Sequence, residues 1–385
     1  MKLEGAVSEV SKASLLERML DDNTSSYKFY WLRGIVNEIC KGNSEISYVR
    51  IVSRMISGCW FSVKYFRLSL GATDKLNALV DELAKVTGLS DNATEEEIIA
   101  AVENSYETDP NIRSMMNAIC KYVPYRIIKP FYAETIKLKQ AALRQKGVKR
   151  VDSYADGIIA EANNMHPENA FYVIWQNRKG LTVNSEWVRF VRCNEPVIRG
   201  WLDFRLTQYL QSRNPSVPAI SMKLYAPVQR KLETAREYWK CAIGLIPIQD
   251  IYSGELFSED AFHEYGTLSV DHFIPWSFVL HDEAWNLSPM FKNINSSKSD
   301  KLPQIEKYLD GFCQQQYEAL MAIKDAGCSG SYRKQFDSYR SLDSNIDEYC
   351  KSDRSRDTFT ATLRKTIVPL YQIALNQGFE VWSLS

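Results

Sequence analysis

A chain of 385 residues, 45% hydrophobic and 24% charged, has the balance of a globular protein and not of a disordered one, and its length allows two or three folding units. Its 47 basic and 47 acidic side chains cancel, so attraction to nucleic acid must come from a local patch and not from net charge. The eight cysteines form no C-x-x-C pair, no apolar run reaches a membrane span, and the N-terminus lacks the apolar core of a signal peptide, which speaks against a zinc ribbon, a disulfide scaffold and membrane insertion and makes a cytoplasmic location the expectation.

In chain order, "DDNTSSYKFYWLRGIVNEIC" places polar capping residues before Tyr27, Tyr30, Trp31, Ile35 and Ile39, which recur near helical spacing. "SYVRIVSRMISGCWFSVKYF", "DKLNALVDELAKVTGL" and "TEEEIIAAVENSY" continue the pattern, the last opening on an acidic cluster suited to a helix N-terminus. Residues 1–125 therefore read as a helical domain whose aromatic stripes are core. Pro124 and Pro130 break continuity and mark a boundary.

Residues 126–235 read as a mixed, mostly helical domain. It opens with the basic helix "AETIKLKQAALRQKGVKR", followed by "AFYVIWQ" and "GLTVN" as short strands, a helix ending before Asn214-Pro215, and a helix from "VQRKLETAREYWKCAIG". Between Lys121 and Arg150 nine basic residues face one acid, Glu134, whereas residues 1–120 hold 13 basic and 17 acidic residues. Such a run is either a solvated helix face or a phosphate-facing patch, in which Lys137, Lys139, Arg144, Lys146, Lys149 and Arg150 would contact DNA. After Pro303, residues 305–385 read as two or three closing helices.

Between these regions, residues 236–304 hold the most irregular pattern. "GTLSVDHFIPWSF" has the alternation of a strand, sets Asp271 beside His272, and meets Pro275 three residues on. Adjacent residues on a strand point to opposite faces, although the strand end before Pro275 allows both to turn towards one phosphate. Asn286 follows in "DEAWNL", Asn295 lies nine residues later, and Lys298 three beyond that, on one face of a short helix.

This constellation resembles the HNH nuclease motif, a ββα-metal fold, in the variant of the CRISPR effector nucleases in which asparagine replaces the last histidine. The resemblance rests on Asp271-His272, Pro275, Asn286, Asn295 and Lys298-Ser299-Asp300. It implies a mainly α protein whose helical N- and C-terminal regions flank a small ββα nuclease unit. It further implies His272 as the general base that takes a proton from water. Asp271 and Asn295 would be hard oxygen ligands for Mg²⁺ or Mn²⁺, with no structural zinc. Asn286 would tie the loop and keep His272 aimed, and Lys298 would be a phosphate contact or transition-state stabiliser. Asn293 is an alternative to Asn295 if the helix starts elsewhere. His281 is either a second ligand or a loop histidine facing solvent, His263 and His166 show no partner spacing, and Trp276 and Trp285 read as core anchors.

The implied activity is a metal-dependent DNA endonuclease, nicking or cutting both strands, of low sequence specificity and under control. The wider chain is similar to effectors of anti-phage defence of the Zorya or Septu type, which adds a defence-system protein to the expected partners. A ribonuclease with the same site, or a non-catalytic nucleic-acid-binding module, are the rival readings.

Overall fold

The computed structural model describes residues 9–21, 23–165, 167, 169–228, 230, 232–343 and 354–384. His166 and Cys350 lie outside the described residues. The chain divides into two compact units, one of residues 1–215 and 220–226 and the other of 216–219 and 227–385. Among the described residues no helix is long and apolar enough to cross a membrane.

The first unit is built from helices α1 (Glu9–Met19), α2 (Tyr27–Cys40), α3 (Tyr48–Trp60), α4 (Lys75–Thr87), α5 (Glu95–Thr108), α6 (Pro110–Cys120), α7 (Val123–Arg126), α8 (Ala133–Gln145), α9 (Ala155–Asn163), α10 (Ser185–Cys193) and α11 (Glu195–Arg213). The helical spacing of Tyr30, Trp31, Ile35 and Ile39 becomes the fully buried face of α2. That face approaches α3 closely because position 34 is glycine: a Cβ there would lie 3.2 Å from the Arg54 Cβ. Helix α5 starts on a capping box, Glu97 N donating to Thr94 Oγ1 and Thr94 N to Glu97 Oε2.

Both short strands anticipated from the sequence form, as β2 (Tyr172–Ile174) and β3 (Gly180–Val183). Strand β1 (Glu45–Ser47), which carries no alternation long enough to read, pairs antiparallel with β3 in the order β1-β3-β2. Gly180 is required there, since a Cβ would meet the Ile46 carbonyl oxygen at 2.7 Å. This sheet joins residues 45–47 to 172–183, so a division at residue 125 does not separate two compact units. The basic helix also ends sooner than its composition indicates. Gly147 takes φ +82 and stops α8 at Gln145, leaving Lys146, Lys149 and Arg150 beyond it.

The second unit holds α12 (Glu233–Leu245), α13 (Glu259–Tyr265), β4 (Leu268–His272), α14 (Trp276–Val279), β5 (Leu287–Phe291), α15 (Lys292–Lys298), β6 (Leu302–Pro303), α16 (Ile305–Asp325), α17 (Arg333–Arg340), α18 (Arg354–Asn376) and β7 (Val381–Trp382). Helix α12 begins at Glu233 and not at Val228, so Arg230 lies outside it. Three closing helices are described, and Pro369 lies inside α18. The architecture is mainly α with a small ββα unit, as the sequence indicated.

Strands β4 and β5 pair antiparallel, with Asp271 opposite Ser288 and His272 opposite Leu287. Val270, Phe273, Ile274, Leu287, Met290, Phe291 and Ile294 are buried between the hairpin, α15 and the surrounding helices, and Trp276 and Trp285 are buried with them. Each large apolar side chain buried this way contributes about 1.5–3 kcal/mol. Helix α16 supports the hairpin directly. Phe312 packs on Phe273 with ring centroids 4.3 Å apart, and Gln316 Nε2 donates to the Leu287 carbonyl at 2.7 Å. Asp250, fully buried, accepts from Phe291 N and Tyr252 N at 2.8 Å each and so fastens the preceding turn to the junction of β5 and α15.

Candidate active site

Ser269 and Asp271 alternate on β4 and therefore share a face. Helix α15 lies over that face: Asn295 Nδ2 donates to Ser269 Oγ at 2.7 Å, and one turn on Lys298 Nζ donates to Asp271 Oδ2 at 2.7 Å and to the His272 carbonyl at 2.8 Å. The spacing of three between Asn295 and Lys298 thus matches the spacing of two between Ser269 and Asp271, helix against strand. Asn293 is exposed, with its carboxamide beside Gly266, so Asn295 and not Asn293 is the asparagine over β4.

Lys298 is 1% exposed and its ammonium is engaged by Asp271, which leaves it facing the strand and not solvent. Its position is that of an internal counter-charge holding the Asp271 carboxylate and the end of β4, in place of the outward phosphate contact expected from the resemblance. Asn286 is fully buried; its Oδ1 accepts from Ile274 N at 2.8 Å and its Nδ2 donates to the Ile274 carbonyl at 2.9 Å. The backbone of the residues that follow His272 is thereby fixed by a side chain acting as one more strand rung.

His272 is 1% exposed and lies at the end of β4. Its Nε2 is 2.9 Å from Asp282 Oδ1 and 3.2 Å from the His281 carbonyl oxygen, while Nδ1 is 3.4 Å from Arg230 NH1. A carboxylate and a carbonyl only accept and a guanidinium only donates. The proton therefore sits on Nε2, and Nδ1 keeps its lone pair. The Arg230 guanidinium stands over the Trp276 ring at 5.2 Å. The loop carrying Asp282 is anchored in turn by α17, where Ser338 Oγ accepts from Ala284 N at 2.7 Å.

Arg230 and Asp282 carry no signal in the sequence strong enough to single them out. Asp282 lies in the short connection between the strands beside His281, and Arg230 lies in a stretch whose composition reads as helix. His281 enters the site through its backbone; burial lowers the pKa of its ring, and Nδ1 is buried with no hydrogen-bond partner among the described residues. His263 is exposed on α13.

The donor chemistry fits a divalent cation. With Asn295 Nδ2 on Ser269 and Asp271 Oδ2 on Lys298, the oxygens left over are Asp271 Oδ1 and Asn295 Oδ1, both hard ligands. Among the described residues no group of three or more His, Cys, Asp or Glu gathers as a metal cage, so these two oxygens would leave coordination positions to water and phosphate.

The six basic residues anticipated as DNA contacts all lie in the first unit, and they separate. Lys139 pairs with Glu161, Lys137 and Arg144 line a cavity on α8, and Lys146, Lys149 and Arg150 are exposed beyond it.

An antiparallel pair of strands with a short helix across it, an Asp-His pair closing the first strand and an asparagine on the helix define the ββα nuclease architecture. Residues 250–304 match the family model of HNH endonucleases, and this segment is accordingly an HNH nuclease module. Searches of curated proteins and of solved structures each gave no match.

Proposed function

We propose that this chain is a metal-dependent endonuclease that hydrolyses DNA phosphodiesters to 5′-phosphate and 3′-hydroxyl ends, with His272 as general base. The observation that carries this reading is the pair of acceptors, Asp282 Oδ1 and the His281 carbonyl, on His272 Nε2. Asp282 and the His281 carbonyl hold Nε2–H, and the Nδ1 lone pair, which accepts from Arg230 at 3.4 Å, takes a proton from a water attacking phosphorus once the guanidinium turns to the phosphate. As Nδ1 is protonated the ring becomes cationic, and the Asp282 carboxylate stabilises that charge. Arg230, beside Nδ1, is placed to meet the anionic oxygens of the scissile phosphate. The Trp276 ring beneath the guanidinium limits where it can go.

Asp271 and Asn295 would hold Mg²⁺ or Mn²⁺, which when bound supplies charge neutralisation at the phosphate and at the departing 3′ oxygen. Lys298 keeps the Asp271 carboxylate aimed. Lys146, Lys149 and Arg150, exposed and without carboxylate partners among the described residues, support contact with the DNA backbone and hence low sequence preference. One such site cuts one strand at a time, so a double-strand break requires a second event or a second copy. The resemblance extends the proposal to a controlled nuclease in bacterial anti-phage defence.

The test is incubation of the protein with end-labelled DNA and RNA oligonucleotides of the same sequence in Mg²⁺, Mn²⁺ or EDTA. Cleavage of DNA with products that a ligase rejoins supports the proposal. Cleavage of RNA alone moves the reading to a ribonuclease.

A further inference from the structure

The first unit concentrates positive charge in a concave place. Arg18 of α1, Lys28 of α2, Arg126 of α7, Lys129, and Lys137 and Arg144 of α8 line one cavity of about 370 Å³, with Asp21 as its single acidic lining residue. Lys137 and Arg144 are seven apart, two helical turns, and so share a face of α8. Arg126 is paired with Asp156, and Lys28 donates to the Asp21 carbonyl. Arg18, Lys129, Lys137 and Arg144 have no carboxylate partner among the described residues. Unpaired like charges facing one cavity repel one another, and an anion bound among them removes that cost.

A second cavity of about 550 Å³ adjoins the first, sharing Lys28, Arg126 and Lys129. Its remaining wall is mixed: apolar Ile119 and Val123, the Tyr122 ring, hydroxyls such as that of Ser153, and the carboxylates of Asp152 and Asp156, the latter paired with Arg126. Carboxylates repel phosphate but accept hydrogen bonds from sugar hydroxyls and from amino groups of a base. A nucleic-acid backbone, charged at every step, would suit the first chamber and not the second. Both volumes lie in the range of small-ligand sites.

We propose that these adjoining cavities form a binding site for a nucleoside polyphosphate, with the phosphates among Arg18, Lys129, Lys137 and Arg144 and the nucleoside in the chamber walled by Asp152 and Asp156. The site is independent of the nuclease reading, because every residue that forms it belongs to the first unit.

The experiment is isothermal titration of the full chain with ATP, GTP, pyrophosphate, adenosine and a short DNA duplex. Saturable binding of a nucleoside triphosphate is expected, with pyrophosphate and adenosine each weaker by about tenfold or more. Lys129→Glu with Arg144→Glu should lower the triphosphate affinity by at least about tenfold, whereas Lys149→Glu with Arg150→Glu, outside the cavity, should leave it unchanged. Lys137→Gln, which only removes a charge, serves if the double reversal unfolds, as judged by circular dichroism, and should weaken binding in the same direction. Three results overturn the proposal: no triphosphate binding, pyrophosphate binding as tightly as triphosphate, or equal losses in the variants inside and outside the cavity.

Discussion

His272 meets its partners from separate parts of the chain, Arg230 on one ring nitrogen and Asp282 with the His281 carbonyl on the other. Removing the imidazole with His272→Ala should lower the cleavage rate by about 10²–10⁴-fold, the range for a general base. Asp282→Asn should cost less, because the His281 carbonyl still holds Nε2–H. The loss should fall on kcat, because the ring that becomes cationic as it takes the proton has lost the carboxylate beside Nε2. A kcat equal to that of wild type would remove Asp282 from this role. His281 gives a separate stability signature. Burial lowers its pKa, with Glu283 and Asp282 opposing and His272 assisting. The unfolded chain then binds a proton that the folded chain refuses, so stability is lost as pH falls through about 6.5 towards the lowered value. Denaturation at about pH 7.5 and about pH 5.5 should show a smaller difference in His281→Gln than in wild type; equal differences would contradict the assignment.

At the scale of elements, the β4–β5 hairpin and α15 hold their geometry through two buried polar side chains. Asn286→Ala would leave the Ile274 N–H and carbonyl unpaired and should destabilise the protein by about 1–3 kcal/mol, read from denaturant unfolding. Lys298→Met strands the Asp271 carboxylate beside an apolar chain. Since Asp271 keeps 15% of its side-chain surface exposed, the cost should sit near the lower end of the range for a broken buried pair, about 3 kcal/mol. A change within about 0.5 kcal/mol in either variant would mean that the side chain is not holding the hairpin.

The ββα unit was readable because it is local. Asp271, His272, Asn286, Asn295 and Lys298 lie close in sequence, and strand and helix periodicities convert those intervals into shared faces. Arg230 was not readable, because whether a stretch joins a helix depends on where that helix packs. The β1–β3 pairing was unreadable for a related reason: Glu45–Ser47 is too short to alternate, and its partner comes from far along the chain. The inward direction of Lys298 was hidden as well, since sequence gives the face of a helix and not which side that face is covered on.

For the molecule as a whole, charge and chemistry are divided between the two compact units. The basic run belongs to the first and the HNH module to the second, although the net charge is zero. Nucleic-acid affinity that arises from Lys146, Lys149 and Arg150 should fall with salt, and reversing all three should reduce the slope of log affinity against log salt by about 2–3. An unchanged slope would place the DNA contact elsewhere.

The most direct measurement is cleavage of supercoiled plasmid by the purified full chain in Mg²⁺ and Mn²⁺, with EDTA and with His272→Ala beside it. A nuclease working through this site converts the plasmid to nicked or linear form only with the cation present, and the folded His272→Ala protein does so slower by about 10²–10⁴-fold. Cleavage that persists in EDTA, or that the His272→Ala protein performs at the wild-type rate, would contradict the account.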